Sequence, residues 1–128
     1  MESINYQMNA QIHETEQELK HWENELWNAL EQFRSISNTA ALNRAEYDAG
    51  IDAETVRAEE EEKEQGIKRT VDVRSSVVGQ RVHEKRLAAR LAEAEKEICG
   101  KQMDVVKAIL SSAQTRAKLH QIDYNLTK

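Results

Sequence analysis

The sequence predicts an all-α protein: a long antiparallel helical hairpin, coiled-coil-like, with a third helix, forming one elongated bundle over residues 1–128. Three observations lead there. Ile12, Thr15, Leu19, Trp22, Leu26, Ala29 and Phe33 fall at alternating steps of three and four, the spacing of a heptad seam. The chain is 32% charged with four glycines and no proline, a composition of long helices rather than of a compact globule. Its halves are oppositely charged, residues 1–64 carrying −11 and residues 65–128 carrying +6 within a net −5. Side by side, such halves select each other's register and orientation.

The first helix is expected over about residues 4–48. Its seam keeps phase past Phe33 to Ile36 and Ala40, through the cap-prone run Ser35-Ile36-Ser37-Asn38-Thr39, where the alternative is a break. Trp27 and Leu30 flank the seam and widen it beyond the stripe of a two-stranded coil, so they are expected to touch a third helix or another subunit. The turn is placed at residues 48–52. Gly50 suits a helix C-terminus, while Asp52 and Glu54 suit the start of the next helix.

With the reversal at Gly50, residue i should face about residue 101 − i. That brings Trp22 near Val78 and Val82, Thr15 near Leu87, Ile12 near Leu91 and Ile4 near Ile98. The second helix is expected over about 53–99, interrupted by Gly66 and Gly79. The acidic run Glu59-Glu60-Glu61-Glu62-Lys63-Glu64 reads as a solvated face or frayed tip, or else as a docking site for a basic partner. Leu87, Leu91, Ala94 and Ile98 repeat the steps of four, three and four and are taken as the facing seam. A last helix, about 101–126, carries Val106, Leu110, Ala113 and Ala117 on one stripe. Either it turns back at Gly100, or it continues nearly straight and Val106 and Leu110 meet a partner.

The start of the chain lacks the basic and apolar stretches of a secretory signal, so the mature protein is expected to begin at Met1. The densest apolar run, Val105-Val106-Lys107-Ala108-Ile109-Leu110, is far shorter than a membrane span, so no membrane insertion is expected. A lone Cys99 with no metal-binding neighbours suits a reducing compartment, hence the cytoplasm or a particle assembled there.

Chemistry is hard to find. Glu18-Leu19-Lys20-His21 has the Glu-x-x-His spacing of di-iron bundles, but such sites need the motif twice. His13, His83 and His120 lack ligand-spaced partners, and Cys99 lacks a base, so no metal, cofactor or catalytic residue is expected. Val77-Val78-Gly79-Gln80-Arg81-Val82 has one glycine and no lysine, which excludes a phosphate loop. Arg74, Arg81, Lys85, Arg86 and Arg90 form a basic stretch able to meet a polyanion, without interleaved aromatics to stack on bases.

The expected function is therefore contact rather than catalysis. Ile12, Leu19, Trp22, Leu26 and Phe33 on one side, with Leu87, Leu91 and Ile98 on the other, would anchor helix–helix interfaces with a protein partner or a second copy. Such a protein would be a structural or adaptor subunit of a larger assembly, of the virion or secretion-machinery kind. The alternatives are a small helical chaperone for a partner's amphipathic helix and a nucleic-acid-binding helical protein.

Overall fold

The computed structural model describes residues 2–127, with side chains from Tyr6 onward. Among these residues there are three helices and no strand: α1 (Glu2–Gln65), α2 (Val71–Arg81) and α3 (His83–Thr127). Helix α1 packs against α3 as an antiparallel hairpin.

Helix α1 runs unbroken through both of its suspect stretches. At residues 35–39 the Thr39 hydroxyl turns back on its own helix, Oγ1 donating to the Ser35 carbonyl at 3.1 Å, so it does not compete for the ladder. The turn expected at residues 48–52 does not form. Gly50 is a buried helical residue, and a Cβ built on it would meet Lys85 Cδ at 3.1 Å and Val82 Cγ1 at 3.5 Å. Its missing side chain lets a neighbouring helix approach rather than ending its own.

The reversal is at Gly66, whose φ of 68° is left-handed. The Ile67 N–H donates to the Glu62 carbonyl at 3.1 Å, the reach across five residues that closes a Schellman motif. Thr70 then caps α2, its hydroxyl accepting from the Val73 N–H at 3.3 Å, with Asp72 in the first turn. Helices α2 and α3 are separated only at Val82. The ladder passes through it, because Val82 N–H donates to the Val78 carbonyl and Arg86 N–H to the Val82 carbonyl. Gly100 lies inside α3, so the last helix neither turns there nor starts there.

Contacts group the chain into two units, Met1–Phe33 with Cys99–Lys128, and Arg34–Ile98. In the second unit Gly50 faces Lys85 and Glu54 faces Arg81. Its core is made of small residues: Ala40, Ala58, Val78, Val82, Ala89 and Ala92. In the first unit Thr15 faces His120 and Met8 faces Thr127, over buried Cys99, Met103, Leu110 and Ala113. Facing residue numbers sum to about 135 rather than 101, which moves the pairings expected for Ile12, Thr15 and Trp22 from a turn at Gly50. The Ile4 side chain of that expected set lies outside the described residues.

The seam residues of α1 are where the heptad puts them: Ile12, Leu19, Trp22, Leu26, Phe33 and Ile36 are half-buried, and Thr15 and Ala40 are buried. The stripe assigned to their partner is wrong in its first part. Leu87, Leu91 and Ile98 are 50%, 64% and 58% exposed. The residues that turn inward are one or two positions away, at Ala89, Ala92, Lys96 and Cys99, again at steps of three and four. Beyond Gly100 the expected stripe is right, with Leu110 and Ala113 buried and Val106 and Ala117 half-buried.

Candidate functional site

Two surfaces of the Arg34–Ile98 unit stand out, an ionic cluster at the reversal and a bare apolar face on α3. The cluster follows from the Schellman turn, which folds the acidic end of α1 onto the basic start of α2. Arg74 Nη2 donates to Glu62 Oε2 at 2.8 Å and Arg74 Nε to the same oxygen at 3.2 Å, while the Arg69 backbone N–H donates to Glu62 Oε1 at 3.1 Å. Arg81 Nη2 donates to Glu61 Oε2 at 2.8 Å, and its Nη1 lies 3.5 Å from Glu54. The Arg74 guanidinium thus holds the Glu62 carboxyl below the usual glutamate range, and Arg81 does the same for Glu61. Both arginines are held the more firmly in their charged form.

The acidic run is therefore divided in use. Glu61 and Glu62 bind the chain's own arginines, and Glu60 stays exposed. Sequence reasoning took Gly66 as an interruption and missed this cluster. The signal that marks it is Gly66 followed four residues later by Thr70-Val71-Asp72, a C-cap and an N-cap in succession.

Of the five candidate polyanion contacts, Arg74 and Arg81 are spent on these glutamates, and Arg86 Nη2 donates to His83 Nδ1 at 2.8 Å. Lys85 lies with its stem against Gly50 and Arg90 is exposed. A groove of about 290 Å³ between α1 and α2 is lined by Tyr47, Ile51, Thr55, Val71 and Val78, and its charged side chain, Arg74, is already paired. Among the described residues no group of three or more His, Cys, Asp and Glu is placed to hold a metal ion. In the other unit, Glu18 accepts from Arg116, and His21 sets its ring edge-on to Trp22 at 4.9 Å between centroids.

The bare face is a second heptad stripe on α3. Leu87, Leu91, Ala94 and Ile98 keep to steps of four, three and four and are all exposed, on the side of α3 away from the inward-turned Ala89 and Ala92. On the Cys99–Lys128 segment, Val105, Leu119, Ile122 and Leu126 are likewise 58%, 56%, 52% and 80% exposed. Trp27, 68% exposed, and Leu30, 37% exposed, remain outside the α1 seam. Val106 and Leu110, the other candidate partner contacts, instead lie on the inward stripe.

Fold and surface together define a class, the antiparallel helical hairpin whose returning helix is apolar on two faces. Among the described residues no helix is long and apolar enough to cross a membrane. No known family, characterised protein or solved structure matches the chain significantly.

Proposed function

We propose that the protein is a non-enzymatic structural or adaptor subunit that acts through helix–helix contacts within a larger assembly. The observation that carries this reading is the second stripe of α3. Helical spacing of large apolar side chains costs solubility when left bare, and Leu87, Leu91 and Ile98 are bare. They lie on the same helix whose small residues already serve the hairpin, so α3 is built to pair on both sides. The polyanion reading is weakened by the engagement of Arg74 and Arg81 with Glu62 and Glu61.

The test is sedimentation of the chain from the cells that make it. A subunit of an assembly should run far above its 14.7 kDa mass, and Leu91→Glu should release it without loss of helicity. Sedimentation of the native chain as a free monomer would overturn the proposal.

A further inference from the structure

We infer that Leu87, Leu91, Ala94 and Ile98 form the two-fold interface of an antiparallel homodimer, α3 lying against α3 of a second copy. The inference rests on the helix–helix reading above and names its partner. It is carried by a self-complementarity written into one short stretch of the exposed face.

Place a two-fold axis between Ala92 and Glu93, perpendicular to α3. Leu87 then meets the second copy's Ile98, and Leu91 meets the second copy's Ala94; symmetry repeats both layers, so the four apolar positions are used completely. With these positions as the seam, Arg90 and Glu97 become its flanking residues on one side. In antiparallel pairing like flanks meet, so each Arg90 lies beside the other copy's Glu97, and the pair forms twice. Among the described residues neither Arg90 nor Glu97 has an ion-pair partner inside the chain, and both are exposed.

Other registers are penalised by the same two residues. Sliding one copy by a heptad in one direction sets Arg90 against Arg90, and in the other direction Glu97 against Glu97. A parallel, in-register pair gives Arg90 a partner in Glu95 but leaves Glu97 opposite neutral Gln102. The antiparallel register satisfies both charges with every large side chain covered. Docking here leaves the hairpin intact, because the inward-turned Ala89 and Ala92 lie on the other side of α3. Four positions per copy make a small interface, so the dimer should be concentration-dependent.

The test uses the full-length chain in sedimentation equilibrium at low salt, up to several hundred micromolar. Wild type should pass from 14.7 kDa to twice that mass as concentration rises. Leu91→Glu should stay monomeric with an unchanged circular dichroism spectrum. Arg90→Glu and Glu97→Arg should each weaken the dimer about tenfold, since two attractions per dimer become two repulsions. The double variant should recover to within about threefold of wild type, because swapped charges still meet in the antiparallel pair.

Wild type that remains monomeric throughout overturns the inference, as does a dimer indifferent to Leu91→Glu. A double variant that stays weak also overturns it, since in the parallel arrangement Arg90→Glu sets a carboxylate against Glu95 that Glu97→Arg does not relieve. If the purified chain is monomeric while Leu91→Glu still releases it from a heavy native complex, the self-pairing fails and the assembly reading stands. If the native chain is monomeric as well, both fail.

Discussion

A methyl group added at Gly66 and one added at Gly79 should change stability in opposite directions. Gly66 holds a φ of 68°, which an L-residue adopts at a cost, so Gly66→Ala should destabilise by about 1 kcal/mol in urea titration. Gly79 is helical, and a Cβ there meets nothing within 4 Å, so Gly79→Ala should stabilise by about 0.5–1 kcal/mol. The same residue type has three meanings along this chain. Gly66 ends a helix, Gly50 admits a neighbour, and Gly79 has no structural demand visible around it. A glycine in isolation carries no mark to tell these apart. What separates them is context: Thr70 and Asp72 follow Gly66 as a cap, whereas the Asp52 after Gly50 sits mid-helix.

Glu62 connects residue chemistry to pH. Its folded carboxyl titrates below the usual glutamate range because Arg74 donates to it, so the stability it contributes is present above about pH 4.5 and is lost as pH falls through the lowered value. The thermal midpoint should therefore decline on acidification below about pH 4.5. Glu62→Gln should lower the midpoint at pH 7 and flatten that decline. A variant with the same acid response as wild type would show that the pair contributes no stability.

At the scale of elements, the seam of α1 was legible though its end was not, and the inward face of α3 was legible beyond Gly100 but not before it, for a packing reason. The large seam residues lie on α1, and they need small partners; Phe33 Cε2 lies 3.4 Å from the position a Gly100 Cβ would occupy. Up to Gly100 the inward face of α3 accordingly consists of Ala89, Ala92 and Cys99 with half-buried Lys96, while its leucines at 87 and 91 point outward; beyond Gly100 the larger Met103 and Leu110 turn inward. A rule that sends the most apolar stripe to the core selects the wrong face of such a helix. Among the described residues no large side chain is fully buried, so the hairpin is held by fit between unequal partners more than by a bulky core. Trp22→Asp should therefore destabilise by about 2 kcal/mol, since it sets an unpaired charge in the α1 seam. Leu91→Glu should change monomer stability by less than about 0.5 kcal/mol. Equal effects in thermal denaturation would contradict this assignment of faces.

For the molecule as a whole, charge was the most informative statement in the sequence. The opposition between residues 1–64 and 65–128 predicts contacts between an acidic and a basic strand of the hairpin. It is realised locally, by Glu62 with Arg74 and Glu61 with Arg81 in one unit and by Glu18 with Arg116 in the other. Charge balance is insensitive to where the chain turns, which is why it survived a turn misplaced from Gly66 to Gly50. Register is sensitive to it, and the facing pairs expected for Ile12, Thr15 and Trp22 moved. The bare stripe was legible as a pattern in Leu87, Leu91, Ala94 and Ile98, yet pattern alone cannot say whether its partner lies in the same chain.

The cap at Gly66 should also favour one order of assembly. Glu62 and Arg74 are only 12 residues apart, whereas Thr15 and His120 are separated by 105. Loop-closure entropy makes the longer contact costlier by about 2 kcal/mol if formed first, and nearly free once the intervening pairs have closed behind it. The hairpin is a zipper with its slider at the Schellman turn. Closure should start where the ion pairs are densest and end where Met8 meets Thr127, which hydrogen exchange during refolding would check.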